Sequence, residues 1–145
     1  MSDPVNTAAD RLSRRRARML PMFALIFLAQ QASYFSQTPG ERLVDHVRIG
    51  AWVMMVTVLL ALLVTGGFWF RSPAVRALME DDVARANRAS AITLGFVSAM
   101  LASIIIYVFE PRFPLTAREA IHLIVSAGLA TALIRFGLLE RRALG

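Results

Sequence analysis

The stretch VRIGAWVMMVTVLLALLVTGGFWF, Val47 to Phe70, decides the class of this protein. Its valines and threonines would suit a strand, but strands usually stop after roughly 5–6 residues. A run this long, with Arg48 as its one charge, is instead long enough for the ~20-residue helix that crosses a bilayer core. In lipid every backbone N–H and C=O needs a partner within the segment, which selects the helix.

Three further runs have the same character: about 19–37, 89–109 and 117–136, beside 47–70. The chain of 145 residues is 57% hydrophobic, and that content is gathered into these blocks rather than spread as in a soluble domain. The expected architecture is therefore all-α: an integral membrane four-helix bundle over 19–145, preceded by a basic cytoplasmic tail, 1–18.

Charge placement gives the expected orientation. All sixteen basic residues are arginine, and twelve of them lie in the N-terminal tail, the loop between spans two and three, and the C-terminal end. Arg42, Arg48, Arg112 and Arg118 lie on the other side. The positive-inside rule then puts both termini in the cytoplasm, with the multi-pass chain in a bacterial inner membrane. The arginine-rich face would meet anionic lipid headgroups. A net charge of +6 could also suit nucleic acid, but its placement at span ends argues against a specific nucleic-acid partner. Trp52 and Trp69, with Tyr34 and Tyr107, fall where interfacial aromatic belts are expected.

The loops carry their own signals. Thr38-Pro39-Gly40 predicts a tight turn, and Pro111 and Pro114 separate the last two spans. Ser72-Pro73 reads as the start of a short surface helix reaching about Met79. SRRRARML, Ser13 to Leu20, has some likeness to a twin-arginine export signal. Ala17 stands where that pattern wants a bulky apolar residue, and no convincing cleavage site follows, so span one is expected to be retained.

ERLVDHVRIGA (41–51) and AREAIHLIVSA (117–127) align without gaps, pairing Arg42 with Arg118 and His46 with His122. Two tandem helix hairpins related by a pseudo-twofold axis would produce this, and so would chance in apolar helices.

Polar residues fall at helical spacing within the spans: Gln30, Ser33, Tyr34 and Gln37; His46 and Thr57; Ser103, Tyr107 and Glu110; Glu119, His122 and Ser126. All lie toward the expected outer leaflet. The plainer reading is interhelical hydrogen bonding at ~0.6–2 kcal/mol each, aided by small-residue stripes at Ala91, Gly95, Ala99 and Ala102 and at Gly128 and Ala132. The sharper reading is a polar pocket.

Absence of cysteine removes thiolate chemistry and cysteine-held clusters. Paired imidazoles of His46 and His122 could ligate haem b, and a quinone could sit among Gln30, Tyr34, His46 and His122. Asp45, His46, Glu119 and His122 have metal-ligand types. EAIH has Glu-x-x-His spacing, but di-iron bundles need two such motifs. Ser126 lies one turn from His122 without any nucleophile motif, so no catalytic residue is assigned.

Glu80, Asp81, Asp82, Arg85 and Arg88 read as a capped, solvated helix start, with docking of a cytoplasmic or membrane protein as the alternative. The segment they belong to, ALMEDDVARANRASA (Ala77 to Ala91), resembles a pattern in small uncharacterised bacterial inner-membrane proteins of four spans, with Leu78 and the pair Asp81-Asp82 carrying the resemblance. It implies a regulatory or accessory role and no established activity. The expected function is non-catalytic. The alternatives are a haem- or quinone-binding redox protein and a small channel or transporter, with homo-oligomers through the Gly/Ala faces.

Overall fold

A computed structural model describes residues 4–36, 42–66 and 82–143. These form four α-helices: α1 (Pro4–Phe35), α2 (Arg42–Thr65), α3 (Asp82–Phe109) and α4 (Ala117–Ala143). Three stretches are long and apolar enough to cross a membrane: His46–Thr65, Asp82–Phe109 and Ala117–Ala143. Helix α1 is not among them. Its first half carries the arginine cluster, and Pro21, Gln30 and Gln31 dilute its apolar part.

Helix α2 starts earlier than the span read from sequence, at Arg42, and α4 runs on to Ala143; two further boundaries also differ. The segment read as a tail is helical from Pro4 and continuous with the apolar half of α1; arginine is a good helix former, so the charge cluster does not end the helix. Helix α2 stops at Thr65 rather than running toward Phe70, because Gly66 takes a positive φ of 69°. A left-handed glycine just past the last turn is a common helix terminator. The expected turn at Thr38-Pro39-Gly40, the surface helix from Ser72-Pro73 to Met79, and Trp69 lie outside the described residues. Pro111 and Pro114 fall in a non-helical link between α3 and α4, as expected.

Helix α4 is the centre. It packs antiparallel to α3 on one side and to α1 on the other. Both seams are built on absent side chains. A Cβ added at Gly95 would lie 2.7 Å from the Gly128 carbonyl oxygen and 2.8 Å from Ala132 Cβ, so the α3 and α4 backbones touch. Gly128 faces Ala99 in the same way, at 3.0 Å from its Cβ. On the α1 side, Pro21 seats its ring on Gly137, where a Cβ would be 2.6 Å from Pro21 Cδ. Proline here has no N–H to offer its own helix, and its ring fills the notch that glycine leaves. Close backbone approach through small residues is how helices associate in lipid, where apolar burial alone gives no drive.

Helix α2 attaches differently. It reaches the core through Val56, Leu59 and Leu63, with Trp52, Met55 and Leu62 packed alongside. Long side chains hold its backbone further from α4 and α3 than those two are from each other. The tandem-hairpin reading makes α1–α2 and α3–α4 equivalent pairs, and the structure corrects this. Helices α3 and α4 pack tightly, whereas α1 packs on α4 rather than on α2. The Gly/Ala contacts that draw α3 onto α4 have no equivalent between α1 and α2 among the described residues; Gly50 faces open space.

The outward sides of the helices carry large apolar residues, among them Phe96, Leu101, Ile104 and Ile105 on α3. A continuous surface of this kind suits lipid rather than water.

The α3–α4 seam makes a testable contrast. Gly95→Leu must force the helices apart and should destabilise the protein by about 1–3 kcal/mol or more, as overpacking does. Gly50→Leu, with nothing within 4 Å, should leave thermal unfolding in detergent unchanged within error. Equal melting of the two variants would show that the seam does not depend on backbone contact.

Candidate functional site

The last turns of α1 and the first turns of α2 and α4 come together at one end of the bundle. Helix α4 starts there with a reciprocal cap. The Glu119 carboxylate accepts from Thr116 N (2.8 Å) and Thr116 Oγ1 (2.7 Å), and Glu119 N donates to Thr116 Oγ1 at 3.3 Å. This Thr-x-x-Glu capping box satisfies backbone donors that the first turn leaves free. Glu119 therefore serves the helix start, which is what the Glu of EAIH does here. Among the described residues, no cluster of three or more metal-ligating side chains is present.

One turn further, His122 is 4% exposed. Its Nδ1 lies 2.8 Å from Gln31 Oε1, a bond in which the imidazole donates and the amide oxygen accepts. Tyr34 stacks on the ring at 4.1 Å between centroids and 6° between planes, and Trp52 stacks at 4.2 Å and 28°. The imidazole is thus clamped by two aromatic neighbours and fixed in its plane by Gln31. Three helices supply these groups: Gln31 and Tyr34 from α1, Trp52 from α2 and His122 from α4.

Beside this stack lies a cavity of about 440 Å³, within the roughly 300–1,000 Å³ typical of small-ligand sites. Gln30, Ser33, Arg48, Ala51, Arg118 and Glu119 line it together with the stacked residues. Two donors on its lining residues have no partner: Gln31 Nε2 and Trp52 Nε1. Gln31 is 5% exposed, so its free amide donor is shut off from bulk solvent.

The structure gathers Gln30, Ser33, Tyr34, Glu119 and His122 from the expected polar stripe, and leaves others out. His46 is exposed and does not line the cavity, so the two histidines occupy unlike settings. Thr57 and Ser103 bond to carbonyls of their own helices, at Val53 and Ala99. Tyr107 is 84% exposed. Ser126 is buried one turn below His122 with its hydroxyl unpartnered. Gln37 lies outside the described residues. At the opposite end, Asp82 and Arg85 are exposed and Arg88 half-buried on the first turns of α3; Glu80 and Asp81 lie outside the described residues.

Sequence reading passed over four polar or aromatic members of the site. Gln31 and Trp52 touch His122 directly, and Arg48 and Arg118 line the cavity. Gln31 falls off the helical spacing that picked out Gln30, and Trp52 was placed in an aromatic belt. The signal was available: Gln31 and Tyr34 are three apart, which puts both on one helix face.

Opposite this site, the α1–α4 seam has a second polar contact. Arg16 forms an ion pair with buried Glu140 and lies over the Phe136 ring at 5.3 Å, while Arg141 Nε donates to Ala17 O at 3.3 Å.

Removing one partner of a buried hydrogen bond strands the other. Gln31→Leu should therefore lower stability by about 1–3 kcal/mol, and it should alter the near-ultraviolet circular dichroism of the Tyr34–His122–Trp52 stack. His46→Ala should leave that spectrum unchanged, because His46 takes no part in the stack. A spectrum that Gln31→Leu leaves unchanged would mean that the amide does not orient the ring.

No protein-family model, curated protein or solved structure matches the chain, so the chemistry of this site stands on its own residues.

Proposed function

We propose that the chain is a non-catalytic, accessory membrane protein that works by binding a small ligand in the cavity beside His122. It crosses a bacterial inner membrane four times, with both termini cytoplasmic and the cavity opening on the outer side. The observation that carries the binding reading is the cavity itself. Three helices wall it, and two donors on its lining have no partner in the protein. A hollow of this size between three helices, lined by both polar and apolar side chains, fits a small ligand. The acid at the cavity is held in a capping box and the histidine in a stack, which suits holding a ligand more than moving protons. The resemblance of Ala77 to Ala91 to small four-span proteins supports the accessory role.

Two observations support α1 as the fourth span. It lies against α4 from Arg16–Glu140 at one end to Gln31–His122 at the other. Fifteen residues of helix separate Arg16 from Gln31, about 22 Å at 1.5 Å per residue, a large part of the ~30 Å hydrocarbon core that α4 would cross. The charge distribution supports cytoplasmic termini.

Topology is readily tested, since the chain has no cysteine. A membrane-impermeant maleimide should label Phe113→Cys in intact spheroplasts and Ser13→Cys only after permeabilisation. Labelling of both from outside would leave α1 uncrossed and reduce the protein to three spans.

Binding is tested by native mass spectrometry of protein released from its own membrane in mild detergent. The protein should carry a small-molecule adduct that is missing from Ala51→Phe, which fills the cavity. An adduct-free protein whose melting temperature does not respond to a total lipid extract would overturn the binding reading.

A further inference from the structure

We infer that the ligand of this cavity carries an anionic phosphate group, held by Arg48 and Arg118, which line it from two different helices. The inference rests on the binding reading above and names the chemistry of its ligand.

The lining is rich in donors, and two of its acceptors are already engaged. The Gln31 oxygen accepts from His122, and Glu119 accepts both Thr116 bonds on Oε2 alone. Arg48 and Arg118 form no ion pair among the described residues. What is missing is an acceptor of several hydrogen bonds bearing negative charge. A phosphate oxygen cluster meets that need, since guanidinium groups bind it with short charge-assisted bonds.

Charge placement points the same way. Only Arg42, Arg48, Arg112 and Arg118 lie outside the three arginine-rich segments, and two of these four line one cavity from two different helices. Arginines on the translocated side run against the bias that orients membrane proteins. Two of them meeting at a cavity therefore fit a local task. Val47, Ile49 and Phe35 also line the cavity, leaving an apolar flank beside the cationic mouth. A phosphate headgroup with its acyl chains along the α1–α2 face fits both parts, and a free phosphate ester fits the mouth alone.

The test uses Trp52 as its reporter. Trp69→Phe leaves Trp52 as the sole tryptophan of the full chain. The protein in a neutral maltoside detergent is titrated separately with phosphatidylglycerol, phosphatidylcholine and inorganic phosphate while Trp52 emission is followed. Phosphatidylglycerol should shift the emission saturably, at a midpoint at least about tenfold below that of phosphatidylcholine. Adding Arg48→Gln and Arg118→Gln should abolish that preference. Arg48→Lys with Arg118→Lys should retain a preference for the anionic lipid, with far-ultraviolet circular dichroism confirming helicity in both pairs. If inorganic phosphate produces the shift at a concentration similar to the lipid, the source is a free anion and the phosphate chemistry stands. Equal midpoints for the two lipids, or an undiminished preference in the double Gln variant, would overturn the inference. If that equal binding disappears in Ala51→Phe, the cavity still binds and only the anionic assignment fails. No response to any of the three would count against both.

Discussion

Backbone contact along α4 is the constraint on which everything else depends. Apolar side chains give membrane helices no preference for each other over lipid. The helices must come close enough for dispersion to favour protein contact, and that requires missing side chains. Gly95 and Gly128 allow it on the α3 side, and Gly137 against Pro21 allows it on the α1 side. One helix is thereby gripped along two faces, and α4 is the most buried of the three apolar helices.

Small-residue contact brings helices together but fixes register weakly, because neighbouring Ala and Gly positions look alike to a passing surface. Polar pairs supply what is lacking. The α1–α4 seam has one at each end: Arg16 with Glu140, and Gln31 with His122. Each would be left with a stranded buried group if α1 slid along α4. The pairs act as register pins more than as sources of stability, since burying charge offsets much of what the ion pair returns. His122 does this job with its ring faces covered, which accounts for an imidazole placed one turn into an apolar helix.

Much of this was legible in the sequence, though unevenly. Block hydropathy sufficed for helices of membrane-spanning length, and the Gly/Ala spacing on α3 and α4 marked their seam correctly. Pro111 and Pro114 placed the link between them. Pairing between distant helices was not legible. The alignment of His46 with His122 compares two local patterns, but burial is decided by what stands opposite each one. His122 faces α1 across a close seam, whereas His46 sits where α2 stands off. Polar spacing likewise suggested one continuous outer stripe. Thr57 and Ser103 can satisfy their hydroxyls on their own helices, so their spacing says nothing about neighbours. Gln31 has no such local outlet and found its partner across the bundle.

The cavity follows from the same asymmetry. Helix α3 meets α4 through glycine and alanine, and α1 meets it through the Pro21–Gly137 notch with Leu20, Ala24 and Phe27 buried beside it, whereas α2 meets the bundle through leucine, valine, methionine and tryptophan alone. Long side chains fill the space between α2 and its neighbours along Val56, Leu59 and Leu63. Near the start of α2 Ala51 leaves space beside Trp52, and a hollow opens between the helix ends. The site is thus located by where close packing ends, and its chemistry is set by the polar residues that α1 and α4 bring there to fix their register. Binding and assembly would then meet at Gln31: its oxygen holds α1 to α4, and its side chain forms part of the cavity wall. A substitution there would test both roles at once, whereas Arg48 and Arg118, which take no part in either seam, separate the ligand from the fold.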